Sequence, residues 1–331
     1  MKTMVKILSI LFCFLLSACV ATDKKTAQES PLESLTVKDG QVYYYLRHVE
    51  KNFKVMFLAD THFTVEDERG KDFYSFTQRM GGSAVEPENY GKSNGREQAL
   101  LESLKEAKKA GCELVILGGD IINFPSLASV ELLEQIMKES GLKWIYTAGN
   151  HDWHYEGEQG DAAVLRDKWE QSNLKKLYQG QHPLYSSTVL HGINFVLIDN
   201  STNEVTKEQL DFMQEQIEKG LPIILSMHIP LYLPGHNIDY GCGNPQWNKK
   251  NDPYYEIEKR LPWPEEGHTQ VTYAFRNLIF HCPLILGVYA GHTHEEAWDV
   301  SNNVFQYVAG ANYNNDFFMM NFVDASSAGQ R

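Results

Sequence analysis

Short apolar runs recur along the chain at residues 54–59, 114–117, 144–147, 222–227 and 284–289. Each is too short for a typical helix and nearly unbroken by polar residues, the pattern of strands buried on both faces. Between them the period changes. Residues 96–109 carry Leu100, Leu101, Leu104 and Ala107 at helical spacing, and Gly111 is placed to end the segment. Residues 129–140 set Leu132, Leu133, Ile136 and Met137 on one face. Residues 206–219 open on Thr206 followed by Gln209, the spacing of a capping box. Strand and helix in alternation predict an α/β fold. Residues 185–199 differ, because two apolar runs flank His191-Gly192 and predict a hairpin. Residues 304–323 are also strand-rich, so part of the architecture is antiparallel or mixed.

Two long connections interrupt this grammar, residues 63–94 and 233–270. Loops of such length in a compact domain are usually functional or disordered. The second holds Tyr240, Trp247, Tyr254, Tyr255 and Trp263. These aromatics predict either an ordered wall over a substrate or anchors of the loop to the core.

The N-terminus reads as a processing segment. Lys2 and Lys6 precede a short apolar stretch that ends in Leu16-Ser17-Ala18-Cys19. A basic start, an apolar centre and small residues before a break predict a secretory signal. The last four residues resemble a bacterial lipobox, in which the Cys becomes the lipidated first residue. The expected division is a lipoprotein-type signal at residues 1–18, a flexible tether at 19–38, and one domain at 39–331 with a long insert at 233–270. This places the protein outside the cytoplasm, anchored to a bacterial membrane through Cys19.

The chain has 331 residues, 43% hydrophobic and 22% charged, which suffices for a real core. Its net charge of -13 argues against nucleic acid or anionic lipid as a partner by bulk electrostatics. An acidic protein that takes a phosphorylated substrate needs local positive charge, which bound metal ions supply. No protein partner follows from the sequence. Cys112, Cys242 and Cys282 lack zinc-finger spacing. Outside the cytoplasm they allow one disulfide, with Cys242 and Cys282 the pair to test, or free buried thiols.

The chemistry lies just past the apolar runs. Asp60-Thr61-His62, Gly119-Asp120, Gly149-Asn150-His151-Asp152, His228 and Gly291-His292-Thr293-His294 each follow one. Open α/β sheets bind ligands at such strand ends. Asp60 with His62, and His292 with His294, put pairs of donors on one side of an extended segment. Glycine before Asp120, Asn150 and His292 permits close backbone approach. Two ions sharing one carboxylate can neutralise a phosphate and activate a water. Each cluster alone is a weak signal; the force lies in having all five in order.

In that order they resemble the calcineurin-like metallophosphoesterase superfamily, whose pattern is D-x-H, GD, GNH-[DE], H and GHxH. The resemblance runs from Asp60 to His294. It implies a four-layer sandwich of two mixed β-sheets flanked by α-helices, with the metal site at the strand C-terminal ends. It implies one ion on Asp60, His62 and His294, another on Asn150, His228 and His292, and Asp120 bridging them. His151 would face the substrate and protonate the leaving oxygen, and Asp152 would orient His151 by a hydrogen bond. A metal-bridging hydroxide would be the nucleophile. The implied activity is hydrolysis of a phosphomonoester or phosphodiester with two divalent ions, Mn, Fe or Zn. The alternatives are cleavage of a pyrophosphate bond in a nucleotide or lipid-linked diphosphate, and a surface binding protein with an inactive site.

Departures narrow the subclass. Asn123 stands where purple acid phosphatases place a metal-binding Tyr, so a purple iron centre is not expected. Asn123 is expected behind the metal ligands. Trp153-His154-Tyr155 follows Asp152 where serine/threonine protein phosphatases carry an Arg. His154 and Tyr155 either reach the substrate or belong to a loop packed by Trp153. Arg69, Arg79 and His236, in the long loops, are candidate phosphate contacts.

Overall fold

The computed structural model describes residues 30–253 and 265–328. Its twelve strands form two six-stranded mixed sheets. The first has the order β1-β2-β12-β3-β4-β5, built from β1 Leu32–Lys38, β2 Gln41–Leu46, β3 Phe53–Leu58, β4 Leu114–Leu117, β5 Trp144–Tyr146 and β12 Phe318–Asp324. The second has the order β10-β11-β9-β8-β7-β6, from β6 Tyr185–Leu190, β7 Ile193–Ile198, β8 Ile223–Ser226, β9 Ile285–Ala290, β10 Ala297–Ser301 and β11 Val304–Val308. Strands β3, β4 and β5 run parallel, as do β7, β8, β9 and β11.

The unbroken apolar runs are explained by two buried faces. In β3, Val55 and Phe57 enter a core shared between the sheets, where Ile193, Phe195, Ile224 and Leu286 meet them from the second sheet. The alternate residues Met56 and Leu58 face an outer core. Leu114 and Ile116 against Val115 and Leu117 repeat this in β4. Helices cover the outer faces, which completes the expected four layers. In chain order these are α1 Tyr74–Gly81, α2 Glu97–Ala110, α3 Leu127–Ser140, α4 Ala162–Glu170, α5 Lys207–Glu218 and α6 Gln270–His281. Leu100 and Leu104 of α2 and Leu133 of α3 pack on the first sheet. Met213 of α5 and Phe275 and Ile279 of α6 pack on the second.

Local signals held where the chain alone decides them. Thr206 and Gln209 close a reciprocal capping box on α5. His191 (φ 48) and Gly192 (φ 84) make the turn between β6 and β7, as a two-residue hairpin with positive φ at both centres requires.

The tether expected at residues 19–38 stops short. Leu32–Lys38 is an edge strand paired antiparallel with β2, and its side chains are mostly exposed. Only Leu32 and Leu35 are partly buried against the core, too little to leave an apolar period, which is why it reads as linker. The signal segment, Cys19, Tyr254, Tyr255 and Trp263 lie outside the described residues. Among the described residues no helix is long and apolar enough to cross a membrane. Cys112, Cys242 and Cys282 are buried free thiols, so the Cys242–Cys282 disulfide is not formed. The Cys242 Sγ donates instead to the Asn203 carbonyl, and Cys282 caps α6.

Trp247 resolves half of the question about the insert. It is 3% exposed, stacks on His268, and its Nε1 donates to Asp252 at 2.9 Å. It anchors the loop to the core. Tyr240 takes a different position, described below.

Candidate metal centre

The parallel strands deliver the five clusters to one edge of the sandwich. Backbone pairing of β3 with β4 continues past the strand ends, with Asp60 N donating to Gly119 O and His62 N to Asp120 O. Gly291 N donates to His228 O in the second sheet. Asp60, His62, Asp120, His292 and His294 all have positive φ, between 50° and 73°. Non-glycine residues enter this left-handed region rarely, and such strain clusters at functional sites.

The carboxylates are each split between two tasks. Asp120 Oδ1 accepts from the His151 backbone N at 2.7 Å, and Asp60 Oδ2 from the His292 backbone N at 2.8 Å. The other oxygens face imidazoles. Asp120 Oδ2 lies 3.1 Å from His228 Nε2 and 3.8 Å from His62 Nε2. Asp60 Oδ1 lies 3.4 Å from His294 Nε2 and 3.6 Å from His62 Nε2. His62 Nε2 and His294 Nε2 approach to 3.0 Å. Asp120 Oδ2 therefore faces His62 and His228 at once.

Most of this lies under the surface. Asp60, His62, Asp120, Asn150 and His228 are buried, while the His294 side chain is 39% exposed and opens the site to solvent. Burial pushes both carboxyls toward the neutral form. Close contacts with His294 and His62 overcome it at Asp60, and the charges of His228 and His151 overcome it at Asp120, so both sit well below the usual carboxylate range. Burial also opposes a charge on His228, but Asp120 beside it raises that imidazole to about 9. The His228 Nδ1 donates to the Gly118 carbonyl at 2.9 Å, which leaves Nε2 as the nitrogen that could hold an ion.

The donor atoms fit divalent ions. Asp60 Oδ1 and His228 Nε2 are buried, lie 4.0 Å apart and make no well-formed hydrogen bond, only the close contacts with Asp120, His62 and His294 given above. Buried polar atoms left so are costly unless something else satisfies them. The potential ligand atoms group as Asp60, His62 and His294; as Asp120, His228 and His292; and as His62, Asp120 and His151. Asn150 is buried in the turn whose flanking amides, Gly149 N and His151 N, bond to Asp152 and Asp120. Mixed imidazole, carboxylate and amide donors suit borderline metals.

Two expected roles change hands. Asp152 was to orient His151, but its carboxylate braces the backbone. Oδ2 accepts from Asp120 N and Gly149 N, and Oδ1 from Ile122 N. Burial, then the nearby Asp120 charge, pushes it up to about 7. The His151 ring is held by Asn123, whose Oδ1 accepts from Nδ1 at 3.1 Å. Asn123→Ala is expected to lower kcat about 10- to 100-fold with little change in melting temperature, the usual cost of losing an orienting partner. Steady-state kinetics beside a thermal melt would check it, and a kcat within twofold of wild type would remove Asn123 from that role.

The candidate phosphate contacts of the long loops are already engaged. Arg69 pairs with Asp67 and Glu131, Arg79 with Glu156, and His236 with Asp299. His154 and Tyr155 are buried with Trp153, whose Nε1 donates to Ser201, so that stretch is a packed loop. Sequence reasoning missed Arg96, whose guanidinium sits 4.5 Å over the Tyr313 ring. The Tyr313 hydroxyl lies 3.3 Å from His294 Nδ1. It also missed Asn200, which accepts from His228 N and Ile229 N, and Asn312, which accepts from Thr61 Oγ1. Single polar residues in loops carry no periodic signal that would have found them.

A family model described as calcineurin-like phosphoesterase matches residues 53–296. No curated protein matches the chain in sequence. Among solved structures, a dimetal phosphatase from Danio rerio is similar at 10% identity and a TM-score of 0.48, over 81% of this chain and 91% of that one. Phosphopantetheinyl hydrolase from Mycobacterium tuberculosis is similar at 11% identity and 0.38, over 80% and 92%. No substrate follows from either likeness.

Proposed function

The chain belongs to the calcineurin-like phosphoesterase family, and on that premise we propose that it hydrolyses phosphate esters with two divalent metal ions. When bound, the ions would supply positive charge for the phosphoryl oxygens and lower the pKa of the attacking water. Asp60, His62 and His294 would hold one, and Asn150, His228 and His292 the other, with Asp120 shared between them. The observation that carries this reading is the convergence of buried donor atoms: His228 Nε2 lies 3.1 Å from Asp120 Oδ2 and 4.0 Å from Asp60 Oδ1, and neither His228 Nε2 nor Asp60 Oδ1 makes a well-formed hydrogen bond.

His151 would protonate the leaving oxygen. Its Nδ1 is tied to Asn123, so Nε2 is the nitrogen that carries the exchangeable proton. Asp152 keeps the turn that presents His151 and Asn150. Arg96, over Tyr313, brings a cation to the exposed His294 side, where a phosphoryl oxygen would approach. From residues 2–19 alone we place the protein outside the cytoplasm, anchored by a lipidated Cys19.

The test is hydrolysis of p-nitrophenyl phosphate and bis-p-nitrophenyl phosphate by the full chain in mild detergent, with Mn²⁺ added and then removed by chelation. Turnover of at least one ester is expected, lost with chelator, restored by metal and absent in His151→Ala. Turnover that persists in excess chelator would overturn the two-metal reading. The ratio of the two rates assigns the monoester or diester class.

A further inference from the structure

A cavity of about 550 Å³ opens directly beside the centre and shares His292 with it. One wall is a rigid aromatic pair. The His236 and Tyr240 rings stack at 3.6 Å with an interplanar angle of 7°. Asp299 pins both, accepting from His236 Nε2 at 2.9 Å and from the Tyr240 hydroxyl at 3.3 Å. Asp239, Glu295 and Glu296, all exposed, line it together with Asn237 and Thr293. No Lys or Arg lines it among the described residues.

The charge around the centre is uneven. Arg96 approaches through Tyr313, which contacts His294, while Asp239, Glu295 and Glu296 line the cavity that His292 borders. A phosphate ester has a matching polarity when its phosphoryl end is anionic and its alcohol end is cationic. An anionic alcohol would meet like charge in the cavity, while an ammonium would meet carboxylates and aromatic faces.

We propose that this cavity receives the alcohol portion of the substrate and that this alcohol carries an alkylammonium group. The proposal rests on the phosphoesterase reading above. In the reaction the water oxygen bonds to phosphorus and the phosphorus–oxygen bond to the alcohol breaks. The alcohol oxygen keeps that electron pair and takes one proton. The products are phosphate, or a phosphomonoester from a diester, and a free amino alcohol. Tyr240, which the insert brings to the cavity, is the specificity element, and Glu295 and Glu296 set the charge preference.

The experiment compares phosphocholine, glycerol 3-phosphate and 3-phosphoglycerate, whose alcohols are cationic, neutral and anionic, on the full chain in mild detergent. p-Nitrophenyl phosphate reports basal competence, and choline is the binding probe. We expect kcat/KM to fall about 5- to 10-fold at each step from cationic to neutral to anionic, the scale of a few partly exposed charges. The steps should shrink as salt is raised. Choline should inhibit p-nitrophenyl phosphate hydrolysis competitively, and Glu295→Gln with Glu296→Gln should weaken that inhibition about 5-fold or more. Equal or inverted preference alongside good p-nitrophenyl phosphate turnover would overturn the proposal and leave the phosphoesterase reading standing. If p-nitrophenyl phosphate is not turned over, saturation-transfer NMR of choline decides the cavity by itself, and the phosphoesterase reading fails only if bis-p-nitrophenyl phosphate is not turned over either. A choline signal lost in the double variant supports the proposal, and no signal in wild type overturns it.

Discussion

Asp120→Asn is expected to cut phosphoester turnover about 10³-fold or more while the protein stays folded, because its Oδ2 faces His62 and His228 at once. In the variant, Oδ1 can still accept from the His151 amide, so the turn should survive. The change falls on the other atom. An amide NH₂ in place of Oδ2 would put hydrogens toward His62 and His228 Nε2, which lie 3.8 and 3.1 Å away. It would compete for their lone pairs and remove one of the two buried carboxylates from the ligand set. The check is kcat/KM on p-nitrophenyl phosphate at saturating Mn²⁺, with metal content by elemental analysis and a thermal melt. Activity within tenfold of wild type would mean that Asp120 is not the shared ligand.

Gly149→Ala should be nearly as damaging for a steric reason. A Cβ at Gly149 would fall inside contact distance of the Asp120 backbone N and its Oδ1. Backbone cannot swing aside as a flexible side chain can, so the turn must move away from β4. That movement would break the bond from Gly149 N to Asp152 at 2.7 Å and shift Asn150 and His151 with it. The expected cost is about 1–3 kcal/mol of stability and about 10²-fold in activity, typical of an ångström-scale displacement. Extra metal should not rescue it. Gly180→Ala is the control, since Gly180 has φ +81 and open space around it. It should lose roughly 1 kcal/mol and no activity. If both variants behave alike, crowding at Gly149 is not the cause.

The sequence revealed what local pattern controls. Strands buried on both faces announce themselves as apolar runs, and their ends mark the centre. Sheet membership was not legible, because β12 inserts between β2 and β3 from the far end of the chain. The edge strand β1 buries too little to leave a signal. At the site, the metal-binding residue types stood out because each follows a strand. The roles around them did not, because partners are distant in sequence. Arg69, Arg79 and His236 looked free until Glu131, Glu156 and Asp299 met them from 62, 77 and 63 residues away. Asp152 was misread for the opposite reason. It is adjacent to His151 in sequence, but the tight turn sends its carboxylate back to the amides at its base.

The positive φ of Asp60, His62, Asp120, His292 and His294 constrains the chemistry this centre can ever perform. Asp, Asn and His are the non-glycine residues that enter the left-handed region most readily. They are also oxygen and imidazole donors of intermediate softness. The backbone has thereby filtered the periodic table. A thiolate or a longer carboxylate at these positions would be disfavoured by its main chain before any ion arrived. Drift toward a soft-metal, sulfur-rich centre would require rebuilding the strand ends, while substitutions among Asp, Asn and His leave the loops intact. Retuning of this enzyme, in nature or in the laboratory, should run along that narrow path.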